Sequence, residues 1–193
     1  MRKMTLTTAV VAVMTLTANI SFAQTKKYEV KSGIVTYEVT ITMNGKTIST
    51  EKNILYFDEY GSKERSDKFK KEAIVGSSIY NGKTRYELNH KKKTYGEIQS
   101  AGSVGYKVNF NDIPEEDRKS GNAKKLTNET ILGKSCETYS YEKIKSKFSG
   151  YRGVLFLQET SSANLVTTQK AIKFEEVNVS SDKFTVPNDY TKP

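Results

Sequence analysis

Apolar and polar residues alternate along much of the chain. From Gly33 onward a large apolar side chain occupies every second position, with threonine and glutamate between them. This period of two predicts a half-buried β-strand over 33–43. Asn44-Gly45 follows, and because both residues tolerate a positive φ, the pair predicts a tight hairpin into a second strand over 46–57.

Further strands are predicted from the same kind of pattern. Asn81-Gly82 indicates another hairpin. In the last predicted strand the apolar residues change face partway, so a β-bulge is expected near Glu175-Glu176. These further strands are 73–80, 84–88, 127–132, 135–143, 154–159 and 165–179.

One stretch departs from the strand pattern and has the features of a helix start. Asp112 is suited to the N-cap, Pro114 to the first turn, and Glu115 lies three residues after Asp112, as a capping box requires. These signals predict a short helix that continues to Lys119 and is ended by Ser120-Gly121-Asn122.

Strand after strand with short turns predicts a mainly β protein. We expect a highly curved antiparallel sheet, an open or half barrel, with one or two short helices on its concave side. With so little helix, the concave face is either packed by its own side chains or left as a cavity, and the pattern leaves both open. The candidate cavity residues are Val35, Tyr37, Val39, Ile41, Leu55, Phe57, Tyr139 and Phe156.

The first 23 residues have the composition of a secretory signal peptide. Arg2 and Lys3 precede an apolar stretch over 9–16, and Ser21-Phe22-Ala23 places small residues at the positions that cleavage requires. The apolar stretch is too short and too polar to be a stable membrane anchor. We therefore predict cleavage near Ala23, a single curved β-sheet domain over 24–193, and a periplasmic or secreted protein.

Positive charge is concentrated in one segment. The formal net charge is +9, or about +7 without Arg2 and Lys3, and residues 62–93 include ten basic and four acidic side chains. Such a surface attracts phosphate head groups or an acidic protein; alternatively, it is a charged sheet edge that discourages strand pairing. Nucleic acid is not an expected partner because no RNA-binding motif is recognisable. The lysines expected to form the basic surface are Lys70, Lys71, Lys91, Lys92 and Lys93.

Residue types that carry catalytic or metal chemistry are scarce. Cys136 is the only cysteine and His90 the only histidine. A thiol nucleophile needs a base within hydrogen-bond reach, and nothing in the sequence places these two together. An inert buried thiol, an intermolecular disulfide and a nucleophile therefore remain open for Cys136. Because metal-ligand spacings and nucleotide-binding fingerprints are missing from the sequence, we expect no metal, no cofactor and no enzymatic activity.

Five stretches carry a resemblance to a known family: GIVTYEVTITMNGK, KNILYFDEYGSKERS, NETILGKSCETYSYE, YRGVLFLQET and AIKFEEVNVSSDKFTVPNDY. They include a Tyr-Phe-Asp-x-x-Gly turn at 56–61, an Ile-Leu-Gly-Lys hairpin at 131–134 and a closing Phe-x-Val-Pro at 184–187. In this order they resemble exported bacterial domains of unknown function with the LolA/LolB-like lipoprotein-sorting fold, over roughly 33–190. The resemblance implies a highly curved antiparallel sheet wrapped partly around a helix, with an apolar cavity that holds acyl chains in the carrier members.

Two functions are expected from these observations. The first is a non-enzymatic periplasmic protein that binds a hydrophobic or lipid-like ligand in the concave face of the sheet. The alternative is a cell-envelope interaction module that uses the basic surface of 62–93 against an anionic membrane or a partner protein. An apolar cavity or a co-purified lipid favours the first, and salt-sensitive binding to anionic vesicles favours the second.

Overall fold

The computed structural model describes residues 26–99 and 102–193, which form one antiparallel sheet of eleven strands. The predicted signal peptide, 1–23, lies outside the described residues. The strands are β1 Gly33–Met43, β2 Lys46–Asp58, β3 Lys63–Lys70, β4 Ala73–Tyr80, β5 Thr84–Asn89, β6 Thr94–Gln99, β7 Ala123–Ile131, β8 Lys134–Tyr141, β9 Ser146–Tyr151, β10 Val154–Ser162 and β11 Leu165–Glu175.

The strands lie in the order β6-β5-β4-β3-β2-β1-β11-β10-β9-β8-β7. Apart from β6 and β7, strands that follow one another in sequence are neighbours in space, and the pairing of β1 with β11 joins the two halves. Within the described residues β6 and β7 remain the two edges, so the sheet is not closed into a barrel. The predicted fold class, mainly β with an open, curved antiparallel sheet and short helix, is confirmed.

We call the face of the sheet that carries Val35 the inner face. Strand register determines which side chains lie on it. Val35 pairs with Leu55, and Leu55 pairs with Ser66. Directly paired residues point to the same face, so apolar side chains of β1 and β2 lie beside polar side chains of β3 to β5. Val35 and Phe57 are fully buried in the main core cluster.

Residues 102–113, which we call the roof segment, lie after β6 and before β7 in the sequence. They cover part of the inner face of the sheet. Val108 is buried in a second core cluster with Phe148 and Leu155. The ring of Tyr106 stacks on Phe148, with ring centroids 5.1 Å apart. Irregular backbone rather than a long helix therefore covers this face.

A short helix, α1 Glu115–Gly121, follows the roof segment. Its N-cap is Pro114, and Asp112 belongs instead to a 3₁₀ turn, so the predicted helix start is wrong. Proline disfavours helical backbone in the residue before it, and Ile113 is accordingly extended, with ψ 122°. Asn122, in the left-handed conformation with φ 49°, ends the helix.

The C-terminal segment, residues 176–193, covers the opposite face, which we call the outer face. Phe184 and Tyr190 are buried there against Ile79 and Leu88. This segment contains no strand of the eleven-stranded sheet. Side-chain packing holds it to the sheet, together with backbone hydrogen bonds of Thr191 with Lys93 and Tyr95.

The apolar residues of β11 change from one face of the sheet to the other at a different residue from the predicted one. Pairing with β1 skips Ile172, which is therefore the bulged residue. The expected bulge at Glu175-Glu176 is wrong because β11 ends at Glu175, and the residues after it leave the sheet.

Candidate ligand site

A cavity of about 250 Å³ lies between the inner face and the roof segment. Val104, Gly105 and Tyr106 of the roof segment cover it. The floor is formed by side chains from β1 to β5, β10 and β11, namely Tyr37, Asn53, Leu55, Ser66, Lys68, Ser78, Arg85, Leu155, Gln158 and Gln169.

The lining of this cavity has an apolar part and a polar part. Tyr37, Leu55 and Leu155 form the apolar part, and the Tyr37 hydroxyl donates a hydrogen bond to the Leu155 carbonyl oxygen at 2.9 Å. Lys68 and Arg85 bring positive charge to the polar part. A ligand with an apolar body and an anionic group matches both parts.

The two cationic side chains of the lining, Arg85 and Lys68, differ in ion pairing and in exposure to solvent. Arg85 Nε donates to Glu87 Oε1 at 2.5 Å, and Ser78 Oγ donates to the other carboxylate oxygen of Glu87 at 2.6 Å. Arg85 is therefore already partly neutralised. Lys68 is exposed at its end of the cavity, which makes it the cation more accessible to a ligand.

Glu64 fastens the roof segment to the sheet. This carboxylate is fully buried and accepts hydrogen bonds from Lys27 Nζ at 2.6 Å, Tyr28 OH at 2.7 Å and Gly105 N at 2.7 Å. Lys27 Nζ also donates to Ser103 Oγ and to the Gly105 carbonyl oxygen. One carboxylate on β3 thus joins the N-terminal residues and the roof segment.

Burial is the main cause of the pKa shifts around this anchor. Burial lowers the pKa of Lys27, an effect that the nearby Glu64 carboxylate partly offsets. Burial also raises the pKa of Tyr28 well above its usual value, and the Glu64 charge acts in the same direction. The pKa of Tyr37 is raised for the same two reasons, so both tyrosines act as hydrogen-bond donors.

Gly105 has no room for a side chain at this anchor. A Cβ atom there would lie 2.4 Å from the Tyr28 hydroxyl oxygen and 2.8 Å from Glu64 Oε1. Glycine therefore allows the roof backbone to approach the buried carboxylate closely enough for the Gly105 N–H to donate to it.

The structure distributes the eight predicted cavity residues over several places. Tyr37 and Leu55 line the cavity. Val35, Phe57 and Phe156 are fully buried in the main core cluster, Tyr139 is buried in the cluster beneath the roof segment, and Val39 and Ile41 are half-buried. Binding of a ligand by these residues stays a prediction.

Sequence reasoning missed the polar part of the cavity. Asn53, Ser66 and Ser78 lie on strands, yet polar residues in a strand usually indicate a solvent-facing side. The available signal was the run of polar residues at every second position of β3, which breaks the expected apolar alternation.

The predicted basic residues lie in two turns. Lys70 and Lys71 are at the β3–β4 turn, and Lys91 to Lys93 are at the β5–β6 turn. Because the strands are antiparallel, both turns are at the same end of the sheet. Lys93 pairs with Asp189 at 2.8 Å. Interaction of this surface with a membrane or protein stays a prediction.

Cys136 and His90 are not brought together. Cys136 is fully buried on β8, and burial raises the pKa of its thiol. His90 lies beyond β5, near the other end of the strand order. The two cannot form a nucleophile–base pair, and the burial of Cys136 matches the interpretation of an inert core thiol.

His90 belongs to a hydrogen-bond chain on the outer face. Ser77 Oγ donates to Asp67 Oδ1, so its oxygen accepts from His90 Nε2 at 2.7 Å. This arrangement places a proton on Nε2, and the lowered pKa of His90, caused mainly by burial, favours the neutral imidazole. Nδ1 then accepts from the Tyr190 hydroxyl at 2.5 Å, which ties the C-terminal segment to the sheet.

We expect the stability of the protein to fall as the pH is lowered through about 6.5. Burial and the nearby Arg65 and Lys93 lower the pKa of His90, although Asp67 opposes them. The unfolded chain then binds more protons than the native state just below the unfolded pKa, so stability is lost there. Urea unfolding at pH 7.5 and 5.5 measures the effect.

The matched variant for this pH dependence is His90→Gln, which keeps a polar side chain but does not titrate. Its urea midpoint should change less between pH 7.5 and 5.5 than that of the wild type. An equal change in both proteins would assign the pH dependence to other groups.

The described ranges, 26–99 and 102–193, contain neither a cluster of metal-ligating side chains nor a helix that could span a membrane. No three histidine, cysteine, aspartate or glutamate side chains in these ranges gather as a metal site would require. None of the helices in these ranges has the length and apolar character needed to cross a bilayer.

Comparison with known proteins bears on the fold. No protein-family model matches the chain, and a search of curated proteins finds no match. An uncharacterized conserved protein from Thermus thermophilus superposes with a TM-score of 0.56, covering 86% of this chain and 92% of its own at 6% identity. These two proteins therefore share a fold.

Two further solved structures are more distant. A LolA superfamily protein from Nitrosomonas europaea has a TM-score of 0.41 and 8% identity, and it covers 83% of this chain and 92% of its own. A DUF1329 family protein from Desulfovibrio piger has a TM-score of 0.42 and 11% identity with the same coverage. Solved structures similar to this chain thus include a LolA superfamily protein.

Proposed function

We propose that this protein is a non-enzymatic periplasmic binding protein that holds an amphiphilic, lipid-like ligand between the inner face and the roof segment. The observation that supports it is the two-part lining of the cavity, with Tyr37 and Leu55 in the apolar part and Lys68 and Arg85 in the polar part. The periplasmic location rests on the signal-peptide pattern of residues 1–23.

The volume of the cavity restricts the ligand. About 250 Å³ is slightly below the range of roughly 300–1,000 Å³ that is usual for small-molecule sites. A short acyl chain or the polar end of a larger lipid suits this volume. A longer chain would require the roof segment to move away from Glu64.

The charge of the lining favours an anionic group on the ligand. Lys68 is exposed at the cavity, and an ammonium group binds a carboxylate or phosphate by charge-assisted hydrogen bonds. Asn53 Nδ2 already donates to Gln169 Oε1 at 3.4 Å, so these amides form a polar part of the floor that orients a head group.

Dodecanoate is the probe that tests this function. We expect isothermal titration calorimetry to detect one bound dodecanoate per chain, and Ser66→Phe to weaken binding at least tenfold because the ring fills the cavity. Thr40→Phe, a half-buried position on β1 outside the cavity lining, is the matched control and should bind as the wild type does.

The anionic preference is tested with one further pair of variants. Lys68→Glu should weaken dodecanoate binding, whereas Lys173→Glu, at an exposed position on β11, should not. The proposal is overturned if the purified protein neither binds dodecanoate nor contains a co-purified lipid by native mass spectrometry, or if Ser66→Phe binds dodecanoate unchanged.

A further inference from the structure

Three turns of the sheet meet at one end, which we call the turn end: the β1–β2 turn, the β8–β9 turn and the β10–β11 turn. Asn44 N–H donates to the Asn164 carbonyl oxygen at 3.0 Å, and Ser161 N–H donates to the Lys145 carbonyl oxygen at 2.9 Å. Backbone hydrogen bonds therefore hold the three turns side by side as one surface.

The turn end projects beyond β3. In the described residues β2 pairs with β3 only from Lys52 onward, so residues 46–51 extend past their neighbour. At a rise of about 3.3 Å per residue this extension is roughly 20 Å long. The β1–β2 hairpin can therefore contact a flat surface that β3 cannot reach.

Aliphatic side chains are exposed at these tips. Ile48 is 57% exposed, Ile144 55% and Met43 39%. Met43 and Ile48 flank the β1–β2 turn, whereas Ile144 lies in the β8–β9 turn. Exposed aliphatic residues at turn tips are unusual because turns favour polar side chains.

Lysines surround these aliphatic side chains. Lys46 follows the β1–β2 turn, and Lys143 and Lys145 flank Ile144. Among the ion pairs of the described residues none includes these three lysines, whereas Glu142, the acidic residue of the β8–β9 turn, pairs with Lys124. The turn end therefore combines apolar tips with uncompensated positive charge.

We propose that the turn end docks on an anionic lipid surface, with Met43, Ile48 and Ile144 inserted at the boundary between head groups and acyl chains. Lys46, Lys143 and Lys145 then contact lipid phosphates. The inference goes beyond the proposed ligand-binding function and does not depend on the cavity.

The separate tips favour a lipid surface over an acidic protein. A protein partner binds through a well-packed central cluster with a polar rim, and three aliphatic side chains divided between two turns provide no such cluster. A fluid lipid surface accommodates each tip individually. The lysine charge then supplies the attraction that selects anionic lipid.

Tryptophan fluorescence tests insertion, because the chain contains no tryptophan of its own. Ile144→Trp should shift its emission to shorter wavelength on addition of vesicles of phosphatidylcholine with 30% phosphatidylglycerol. Ile98→Trp is the matched control, since Ile98 is 48% exposed on β6 near the opposite end of the sheet and should show no shift. Pure phosphatidylcholine vesicles should shift neither.

Vesicle sedimentation tests which residues of the turn end contribute to vesicle binding. Ile48→Ser with Ile144→Ser should weaken binding to the anionic vesicles at least tenfold. Ile98→Ser with Ile172→Ser, at positions of similar exposure, should not. Charge reversal of Lys46, Lys143 and Lys145 to glutamate should abolish binding. Circular dichroism confirms that each variant is folded.

Any one of the following results overturns the proposal. The first is no binding to the anionic vesicles, the second is equal emission shifts at positions 98 and 144, and the third is vesicle binding that survives the three lysine reversals. The fourth is binding to polyglutamate without binding to vesicles, which would indicate an acidic protein partner. Vesicle binding without a shift at position 144 also overturns insertion, and it assigns adsorption to the basic turns that carry Lys70 and Lys91.

Discussion

Replacement of Glu64 by alanine is expected to lower the free energy of unfolding by about 3–5 kcal/mol, as removal of one partner from a buried ion pair does. The change leaves Lys27 Nζ and the Tyr28 hydroxyl without their shared acceptor in a largely buried site. The Gly105 N–H also loses its acceptor. Urea unfolding monitored by circular dichroism measures the loss.

A second ion pair of equal length provides the control for this prediction. Lys119 Nζ lies 2.6 Å from Glu115, the same distance as in the Lys27–Glu64 pair, but both partners are exposed. Glu115→Ala should therefore cost less than about 1 kcal/mol. If Glu64→Ala costs no more than Glu115→Ala, the carboxylate does not fasten the roof segment.

Glu64→Gln separates charge from shape at the same position. The amide keeps one acceptor oxygen but presents a donor NH₂ group to the donors around it, so we expect a loss close to that of the alanine variant. Dodecanoate affinity of the two variants, where they remain folded, reports whether a loosened roof segment changes access to the cavity.

Phe57→Ala should destabilise the protein by about 3–5 kcal/mol, the usual cost of removing a fully buried aromatic ring from a packed core. Phe57 is fully buried, and its ring contacts Tyr28 edge to face at a centroid distance of 5.0 Å. It also lies over Gly33, where a Cβ atom would be 2.9 Å from the ring. Urea unfolding again measures the change.

The Phe57 prediction also distinguishes a packed core from a hollow one at this position. A side chain that lines an open cavity contacts few atoms, so its removal would cost much less than about 3 kcal/mol. Ile98→Ala, at a half-exposed position, is the control and should change stability by no more than about 0.5 kcal/mol. A loss from Phe57→Ala below about 1 kcal/mol would contradict tight packing.

Local alternation and turn residues were sufficient to predict β1 and the hairpin turn that follows it. β1 spans Gly33–Met43, as the alternation predicted, and Asn44 and Gly45 have φ values of 49° and 74° in the predicted hairpin turn. Such features depend on residues close together in the chain, so period and turn chemistry reveal them.

Two of the strands that the sequence did not reveal, β3 and β9, have polar residues at buried positions. β3 is the clearest example, because Glu64 and Asp67 are buried where an apolar residue would be expected. Their burial is compensated by Lys27 and Arg65. β6 and β9 were missed as well, and both are short strands of six residues.

The sequence by itself determined the strand periodicity, several turns and therefore the fold class, because each depends on neighbouring residues. Only the tertiary structure decided which part of the inner face is packed and which part encloses a cavity. That choice depends on the roof segment, whose Gly105 bonds to Lys27 and Glu64, 78 and 41 residues away along the chain. Local alternation sets only the direction in which a side chain points, whereas the cover above it comes from residues distant in sequence.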